Sequence, residues 1–375
     1  MVEWKKLGDV CKVLRGKRLT KSQLNESEGY PVLHGGSTPM GYYEEFNRKA
    51  NTTVVVNTGN AGSVFFYDKE FWSSDACFSL YPNKEINDKF LYLYVYGCER
   101  ILKGKIRAGA MPTIDAKAVE DLLVPIPSLS EQQRIVSILD TFTSSISNLK
   151  QQIEERRKQY EYERDLLLDL EGKEGVEMKK LGEICEIKNG YTPSTKKPEF
   201  WENGSIPWFT LEDIRKNGRI LSDAIKHITP TGVKKSGLFP QNSIIVSTTA
   251  TIGEYALITR DFLCNQQISC ISVKEATRGK LLPKYLYYLS NSIGNWCKKN
   301  VNGGGSLLIV STSKLNNLFI PLPPLSTQSR IVSILDTFEQ SIANLEEQLA
   351  MREKQYEYYR NQLLTFEGEE ERGKT

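Results

Sequence analysis

Two stretches of the chain carry apolar residues at helical spacing over an unusual length. In residues 129–172 the apolar positions recur every three or four residues, and the same pattern returns in residues 325–368. The spacing predicts two helices of about 40 residues, each roughly 60 Å long, with a coiled-coil-like apolar stripe. We expect these helices to act as a spacer that also contacts partners. The stripe residues expected in those contacts are Ile135, Ile138, Phe142, Leu149, Tyr160, Ile331, Ile334, Phe338, Leu345 and Tyr356.

The start of each helix and its packing partner also follow from the pattern. Ser130 and Ser326 are the predicted N-caps, and Ser130 with Gln133 has the spacing of a capping box. Each helix is too long to pack inside one domain, so its stripe needs a long partner. The other helix is available, and we expect the two to pair antiparallel.

The residues between the long helices show shorter patterns, typical of mixed α and β structure. Two β-branched hairpins, each with a loop of small polar residues, are predicted from residues 53–67 and 243–258. Phe90–Lys103 and Pro283–Lys299 have the pattern of amphipathic helices.

An internal repeat organises these elements. Residues 123–172 match residues 319–368 at 30 of 50 positions without a gap, and Trp4–Cys11 resembles Met178–Cys185. The repeat predicts an α+β chain with two globular domains joined by two long antiparallel helices, related by a pseudo-two-fold axis. The predicted segments are a first globular domain at 1–128, a first helical spacer at 129–177, a second globular domain at 178–324 and a second helical spacer at 325–375.

Charge is distributed unevenly over these segments. The chain of 375 residues has a net charge of +3, but residues 1–122 carry +2 and residues 178–318 carry +9, whereas the two helical parts carry −4 each. This segregation favours an anionic partner for the domains and different partners for the helices.

Motifs for catalysis are missing from the sequence. It has no phosphate-binding G-x-x-x-x-G-K-[ST] loop, no G-x-G-x-x-G after a strand, and only two histidines, His34 and His227. The seven cysteines are scattered without a C-x-x-C pair, as in reduced cytosolic proteins. We therefore expect a binding protein without a metal site, located in the cytoplasm.

The repeated motif identifies a family. The runs P-x-P-x-L-S-x-Q-x-R-I-V at Pro125–Val136 and Pro321–Val332, with the duplication around two unlike domains, resemble the specificity subunit of type I restriction–modification systems. The resemblance implies a non-catalytic subunit whose two target recognition domains read a bipartite double-stranded DNA sequence. It also implies two methyltransferase subunits and restriction subunits as partners, with S-adenosylmethionine, ATP and Mg²⁺ bound only by those partners.

The resemblance does not transfer the side chains that read bases, so the DNA-binding candidates are chosen by position. They are polar, aromatic or basic residues in loops of the two domains. The candidates are Lys17, Arg18, Gly36, Ser37, Thr38, Asn57, Thr58, Asn60, Lys105, Arg107, Lys196, Lys197, Trp208, Thr210, Ser247, Thr248, Thr249, Thr251, Lys298, Lys299, Asn302 and Ser306.

Three other functions stay open at this point. The chain could serve a methylation-only or type IIB-like system, or be a coiled-coil scaffold whose basic domains bind RNA or acidic protein. A divergent nuclease or methyltransferase is the enzymatic alternative.

Overall fold

A computed structural model describes residues 2–107, 109–302 and 308–366. By its contacts the chain divides into two units, which we call unit 1 (Met1–Gln151 and Glu346–Thr375) and unit 2 (Gln152–Leu345). Each unit combines one predicted globular domain with the first part of one long helix and the last part of the other. The predicted α+β class is confirmed.

Among its described residues, unit 1 has nine strands, and four short α-helices precede its long one. The strands are β1 (Glu3–Lys6), β2 (Cys11–Arg15), β3 (Tyr30–Leu33), β4 (Pro39–Tyr43), β5 (Thr52–Val56), β6 (Val64–Tyr67), β7 (Trp72–Ser73), β8 (Cys77–Pro82) and β9 (Leu123–Ile126). The helices are α1 (Leu7–Val10), α2 (Asp88–Gly97), α3 (Glu99–Gly104), α4 (Ala116–Glu120) and α5 (Leu129–Leu168), of which α5 continues into unit 2.

Unit 2 repeats this plan, with ten strands in the part that the structure describes. They are β10 (Glu177–Lys180), β11 (Cys185–Asn189), β12 (Ile206–Phe209), β13 (Ile220–Leu221), β14 (His227–Ile228), β15 (Ser243–Ser247), β16 (Tyr255–Ile258), β17 (Leu263–Cys264), β18 (Ile268–Val273) and β19 (Phe319–Leu322). The helices are α6 (Leu181–Ile184), α7 (Leu211–Asn217), α8 (Pro283–Lys299), α9 (Thr312–Asn316) and α10 (Leu325–Leu364), and α10 ends in unit 1.

Equivalent sheets form in both units. The strand order β2-β8-β5-β6 in unit 1 corresponds to β11-β18-β15-β16 in unit 2, where β13 adds a fifth strand. A three-stranded sheet, β4-β3-β7 or β14-β12-β17, and a two-stranded ribbon, β1-β9 or β10-β19, complete each unit. The predicted hairpins are therefore confirmed as β5–β6 and β15–β16, both antiparallel.

The helix predicted at Phe90–Lys103 is two helices. It begins earlier, at Asp88, because the Asn87 side chain caps the amides of Lys89 and Phe90. It breaks at Cys98, whose ψ of 5° departs from helical geometry, and α3 follows.

The long helices also begin earlier than the sequence suggests, so the predicted N-caps are wrong. The amide of Gln132 donates to the Ser128 carbonyl and the amide of Glu131 to the Ser128 hydroxyl, which makes Ser128 the cap of α5. Ser130 lies in the first turn. In α10 the corresponding cap is Pro324, which has no side-chain acceptor, and Ser326 again lies in the first turn.

In each unit the two long helices pack antiparallel. In unit 1 the ring of Phe142 stacks on Tyr359 with centroids 5.2 Å apart, and Lys150 pairs with Glu353 at 2.9 Å. Positions early in α5 thus meet positions late in α10, which confirms the predicted direction.

The same pairing in unit 2 uses the last part of α5. The Tyr160 ring lies 6.4 Å from Phe338, and its hydroxyl donates to Glu339 at 3.3 Å. Burial, with a smaller contribution from the Glu339 carboxylate, raises the pKa of Tyr160, so the phenol keeps the proton that it donates.

The predicted stripe residues are all buried or half-buried, but they serve two kinds of contact. Ile135 and Ile331 are each 1% exposed and belong to the hydrophobic cores of unit 1 and unit 2. The half-buried stripe residues are Ile138, Phe142, Leu149, Tyr160, Ile334, Phe338, Leu345 and Tyr356. The first turns of each long helix are therefore part of a domain core, and the following turns form the helix pair.

A buried glutamine holds the start of α5 to unit 1. Gln132 is fully buried, and its Nε2 donates to the carbonyl oxygens of Glu85 at 2.8 Å and Pro127 at 2.9 Å. Its Oε1 accepts the amide of Asn87 at 2.8 Å. The carboxamide thus joins the helix to the segment that leads into α2.

Gln328 makes the same three bonds at the start of α10. Its Nε2 donates to the carbonyls of Lys280 at 2.8 Å and Pro323 at 2.9 Å, and its Oε1 accepts the Leu282 amide at 2.9 Å. In each unit, the glutamine of the repeated P-x-P-x-L-S-x-Q run therefore attaches the start of a long helix to its domain.

We expect Gln132→Ala to lower the free energy of unfolding by about 2–4 kcal/mol, because it leaves one amide and two carbonyls buried without their partner. Gln328→Ala should act alike on unit 2. Thermal denaturation of the purified chain measures both effects.

The neighbouring residues supply matched controls. Gln133 and Ser329 are exposed, so Gln133→Ala and Ser329→Ala should change the unfolding free energy by less than about 0.5 kcal/mol. Equal changes in the unfolding free energy for Gln132→Ala and Gln133→Ala would contradict this role of Gln132.

Candidate nucleic-acid interface

The loop between the two strands of each hairpin has the same backbone in both units. Residues 56–62 turn through a bond from the Gly62 amide to the Val56 carbonyl, and residues 247–253 through one from Gly253 to Ser247. The loop contains a residue with positive φ in each case, Gly59 at 88° in unit 1 and Ala250 at 60° in unit 2. The two hairpin loops are thus equivalent.

A second segment pairs with each hairpin loop. In unit 1 isolated β-bridges join Thr58 to Thr113 and Thr113 to Arg107, and the Arg107 amide donates to the Thr113 carbonyl at 2.8 Å. The structure therefore brings the candidates Thr58 and Arg107 to either side of one residue.

Unit 2 contains the matching bridges. Thr249 and Asn302 both pair with Ile309, and the Asn302 amide donates to the Ile309 carbonyl at 2.7 Å. By this register Arg107 corresponds to Asn302. Thr113 and Ile309 are not among the predicted site residues, because the bridges that join them to the hairpin loops connect residues distant in sequence.

Unit 1 adds a third segment to this site. Gly35 has a φ of 74°, and a Cβ there would lie 3.2 Å from the Thr58 carbonyl oxygen, so the 35–38 loop lies against the hairpin loop. A Cβ at Gly36 would meet open space, and Ser37 and Thr38 are exposed. We call residues 35–38, 58–60 and Arg107 the first loop cluster, and residues 249–251 with Asn302 the second loop cluster.

The basic candidates of unit 1 are exposed. Lys17 follows Gly16, where a Cβ would lie 2.2 Å from the Ser73 carbonyl, and the Lys17 amide donates to that same carbonyl at 2.9 Å. Arg107 forms an ion pair with Asp115 in which both side chains are exposed. The other exposed basic candidates of this unit are Arg18 and Lys105.

The basic candidates of unit 2 lie at two places. Lys298 and Lys299 are exposed at the end of α8, and the Lys298 Cε lies 2.9 Å from the position of a Cβ on Gly253. Lys298 therefore lies against the second hairpin loop. Lys196 and Lys197 are exposed before Phe200, and the Lys197 Nζ lies 5.0 Å from the Phe200 ring centroid.

Several polar candidates are buried and engaged within the protein. The Ser247 hydroxyl donates to the Thr251 carbonyl and accepts the Glu254 amide. Asn57 is 4% exposed, with its Nδ2 donating to the Asp75 carbonyl at 3.1 Å. These hydrogen bonds stabilise the conformation of the loops.

Three further candidates have similar structural contacts. The Thr248 hydroxyl lies 3.1 Å from the Ser269 hydroxyl, and the Trp208 indole donates to the Tyr191 carbonyl at 3.0 Å. The half-buried Thr210 caps α7 through the Asp213 carboxylate.

The side chains that stay accessible define the candidate surface. Among the polar candidates these are the exposed or half-buried Ser37, Thr38, Thr58, Asn60, Thr249, Thr251 and Asn302. Ser306 lies outside the described residues.

Reactive groups are scarce around these loops. All seven cysteines are buried, and burial raises the pKa of the Cys77 and Cys297 thiols to about 11. Among the residues that the structure describes, no three His, Cys, Asp or Glu side chains are grouped to hold a metal ion. The loops offer hydrogen-bonding groups and positive charge, which suit binding.

Over the same described residues, none of the helices combines the length and apolarity that crossing a membrane requires.

Comparisons with known proteins agree with this arrangement. A family model for the type I restriction modification DNA specificity domain matches residues 1–156 and 173–351. The type I restriction enzyme EcoR124I/EcoR124II specificity subunit of Escherichia coli is 33% identical over 391 residues, covering 97% of this chain and 94% of that protein. The EcoprrI specificity subunit, also from Escherichia coli, is 44% identical over 210 residues, which is 53% of this chain and 52% of that one.

The fold is also similar to that of a solved structure. The S subunit of a type I restriction–modification system from M. genitalium superposes with a TM-score of 0.63 at 16% identity, and the match covers 97% of each chain.

Proposed function

Because the chain belongs to the family of type I restriction–modification specificity subunits, the non-catalytic subunits that recognise DNA, we propose that each loop cluster reads one half of a bipartite target. The first loop cluster reads one half-site and the second loop cluster reads the other. The observation that carries this proposal is the equivalence of Thr58, Thr113 and Arg107 with Thr249, Ile309 and Asn302.

Equivalent backbones with unlike side chains suit the reading of unlike sequences. An arginine donates two hydrogen bonds to the O6 and N7 of guanine, whereas an asparagine pairs with the N6 and N7 of adenine. Arg107 and Asn302 occupy the same place in their clusters but differ in side chain. We therefore assign them different bases. Exposed lysines such as Lys17 and Lys298 are assigned to phosphates, where they add affinity without sequence preference.

We expect Arg107→Ala to relax recognition in one half-site only, with a loss of about 1–3 kcal/mol of discrimination at one base pair. Asn302→Ala should do the same in the other half-site. Sequencing of methylated adenines in DNA from cells expressing each variant with its methyltransferase measures both.

Arg100 is an exposed arginine on α3 of unit 1, and Arg100→Ala is the matched control that should keep the target unchanged. A gel-shift series on defined duplexes adds the binding readout. If the wild-type chain prefers no split DNA sequence, the proposal fails and the scaffold function becomes the better one.

We further propose that the length of the paired helices sets the number of base pairs between the half-sites. Each helix has 40 residues, and within each unit the helices are paired side by side. Every added residue extends an α-helix by about 1.5 Å, so the number of residues determines the length of the pair.

Inserting four residues into both helices, near Glu154–Lys158 and Ala350–Lys354, should lengthen them by roughly 6 Å. At about 3.4 Å per base pair, the recognised gap should grow by one or two base pairs while both half-sites stay the same. The methylated sequences of the inserted chain report the gap. An unchanged gap in a folded, active chain would rule out this role.

The partner subunits that we propose are two methyltransferases, bound by equivalent positions on the long helices. Tyr162 of α5 is 67% exposed, and Tyr358, its equivalent on α10, is 60% exposed. Exposed tyrosines are enriched in protein interfaces, and here the repeat supplies one in each unit. Restriction subunits complete the proposed assembly in the cytoplasm, and S-adenosylmethionine, ATP and Mg²⁺ belong to the partner subunits.

We expect Tyr162→Ala to weaken the binding of one methyltransferase copy about tenfold or more, and Tyr162→Ala with Tyr358→Ala to weaken both. Analytical ultracentrifugation of the reconstituted complex measures the stoichiometry. Tyr162→Phe keeps the aromatic surface and should bind like the wild type. Two tightly bound copies on the double alanine variant would exclude this surface.

A further inference from the structure

His34 lies beside the first loop cluster and has no place in the function described so far. It follows the last residue of β3 and precedes Gly35, whose Cβ position is 3.2 Å from the Thr58 carbonyl oxygen. His34 is exposed, and a Cβ on Gly36 would meet open space. A ligand contacting Thr58 therefore has access to the imidazole as well.

The imidazole is held in one orientation by a buried hydroxyl. The Nδ1 of His34 lies 2.8 Å from the Oγ of Ser74, a residue only 1% exposed. That Oγ also accepts the amide of Ala76 at 3.2 Å. Within the described part of the chain Nδ1 is the acceptor bonded to the Ser74 hydroxyl, so we assign the proton of the neutral ring to Nε2.

The Nε2–H group is therefore a fixed donor. His34 makes no hydrogen bond besides that to Ser74 among the described residues.

Unit 2 uses the equivalent position differently. The Ser74 amide donates to the Leu33 carbonyl, and the Asn265 amide donates to the Phe209 carbonyl, each at 3.1 Å, so the residues after Leu33 and Phe209 correspond. In unit 2 that residue is Thr210, the N-cap residue of α7, whose hydroxyl donates to the Asp213 carboxylate at 2.9 Å. In unit 1 the chain continues into Gly35 and Gly36 without a helix, which leaves the His34 side chain available to a ligand.

We propose that the Nε2–H of His34 donates to an acceptor on a base edge of the first half-site, and so helps determine its sequence. The acceptors of the required chemistry in the major groove are purine N7, guanine O6 and thymine O4. This inference rests on the proposed function of the first loop cluster.

The test uses the full chain with its methyltransferase and compares His34→Leu with His34→Gln. His34→Leu removes the donor and should lower discrimination about five- to tenfold at one base pair of the first half-site. His34→Gln offers an amide donor of similar reach and should restore most of that discrimination. The second half-site is the internal control, and Ser74→Ala, which frees the ring, should weaken discrimination at the same base pair as His34→Leu.

Two results would overturn the assignment. A uniform loss of affinity on all duplexes would make His34 a phosphate contact, and an unchanged target with His34→Leu would remove it from the interface. If Arg107→Ala and Asn302→Ala still relax their half-sites in that case, only the role of His34 fails. If none of these variants changes the preferred sequence, the proposed function fails with it.

Discussion

The buried carboxamides of Gln132 and Gln328 are the interaction on which both units depend. Each carboxamide joins the start of a long helix to the loop that leads into α2 or α8 through one donated and one accepted bond. It donates a second bond to the proline carbonyl just before its own helix. A polar group buried this deeply is stable only when all its bonds are made, so it selects one geometry. The same glutamine in both repeats gives two otherwise unlike domains a common attachment.

Around that common attachment, the loops of the candidate interface differ between the two units. The hairpin loops share a backbone turn, and in both units a second segment pairs with them through isolated bridges. The side chains placed on this backbone are not shared, as Arg107 and Asn302 show, nor are His34 and Thr210. Charge differs as well, since most of the positive charge of the domains lies in residues 178–318. In the proposed function the first domain, with its smaller positive charge, relies more on hydrogen bonding, and the proposed His34 contact is one such bond.

Local periodicity made much of the fold predictable. The long helices, their antiparallel pairing and the two hairpins follow from apolar spacing, whereas the break at Cys98 and the cap at Ser128 depend on backbone geometry that spacing does not encode.

The candidate site was harder to predict, because small polar residues suit both DNA contacts and loop structure. Asn57, Ser247 and Thr248 were selected as DNA contacts, and their side chains are buried in internal hydrogen bonds. The bridges through Thr113 and Ile309 join residues distant in sequence, which no local pattern reveals.

The discontinuity of unit 1 has a consequence for biosynthesis. The core of unit 1 contains Leu364 and packs against Tyr356 and Phe366, close to the end of the chain, whereas unit 2 is one continuous segment from Gln152 to Leu345. During synthesis, residues 1–151 of unit 1 are made before residues 346–366, which complete its core, and the whole sequence of unit 2 is made between them. A chain truncated after Leu345 therefore keeps the whole of unit 2 and lacks the α10 residues of the unit 1 core.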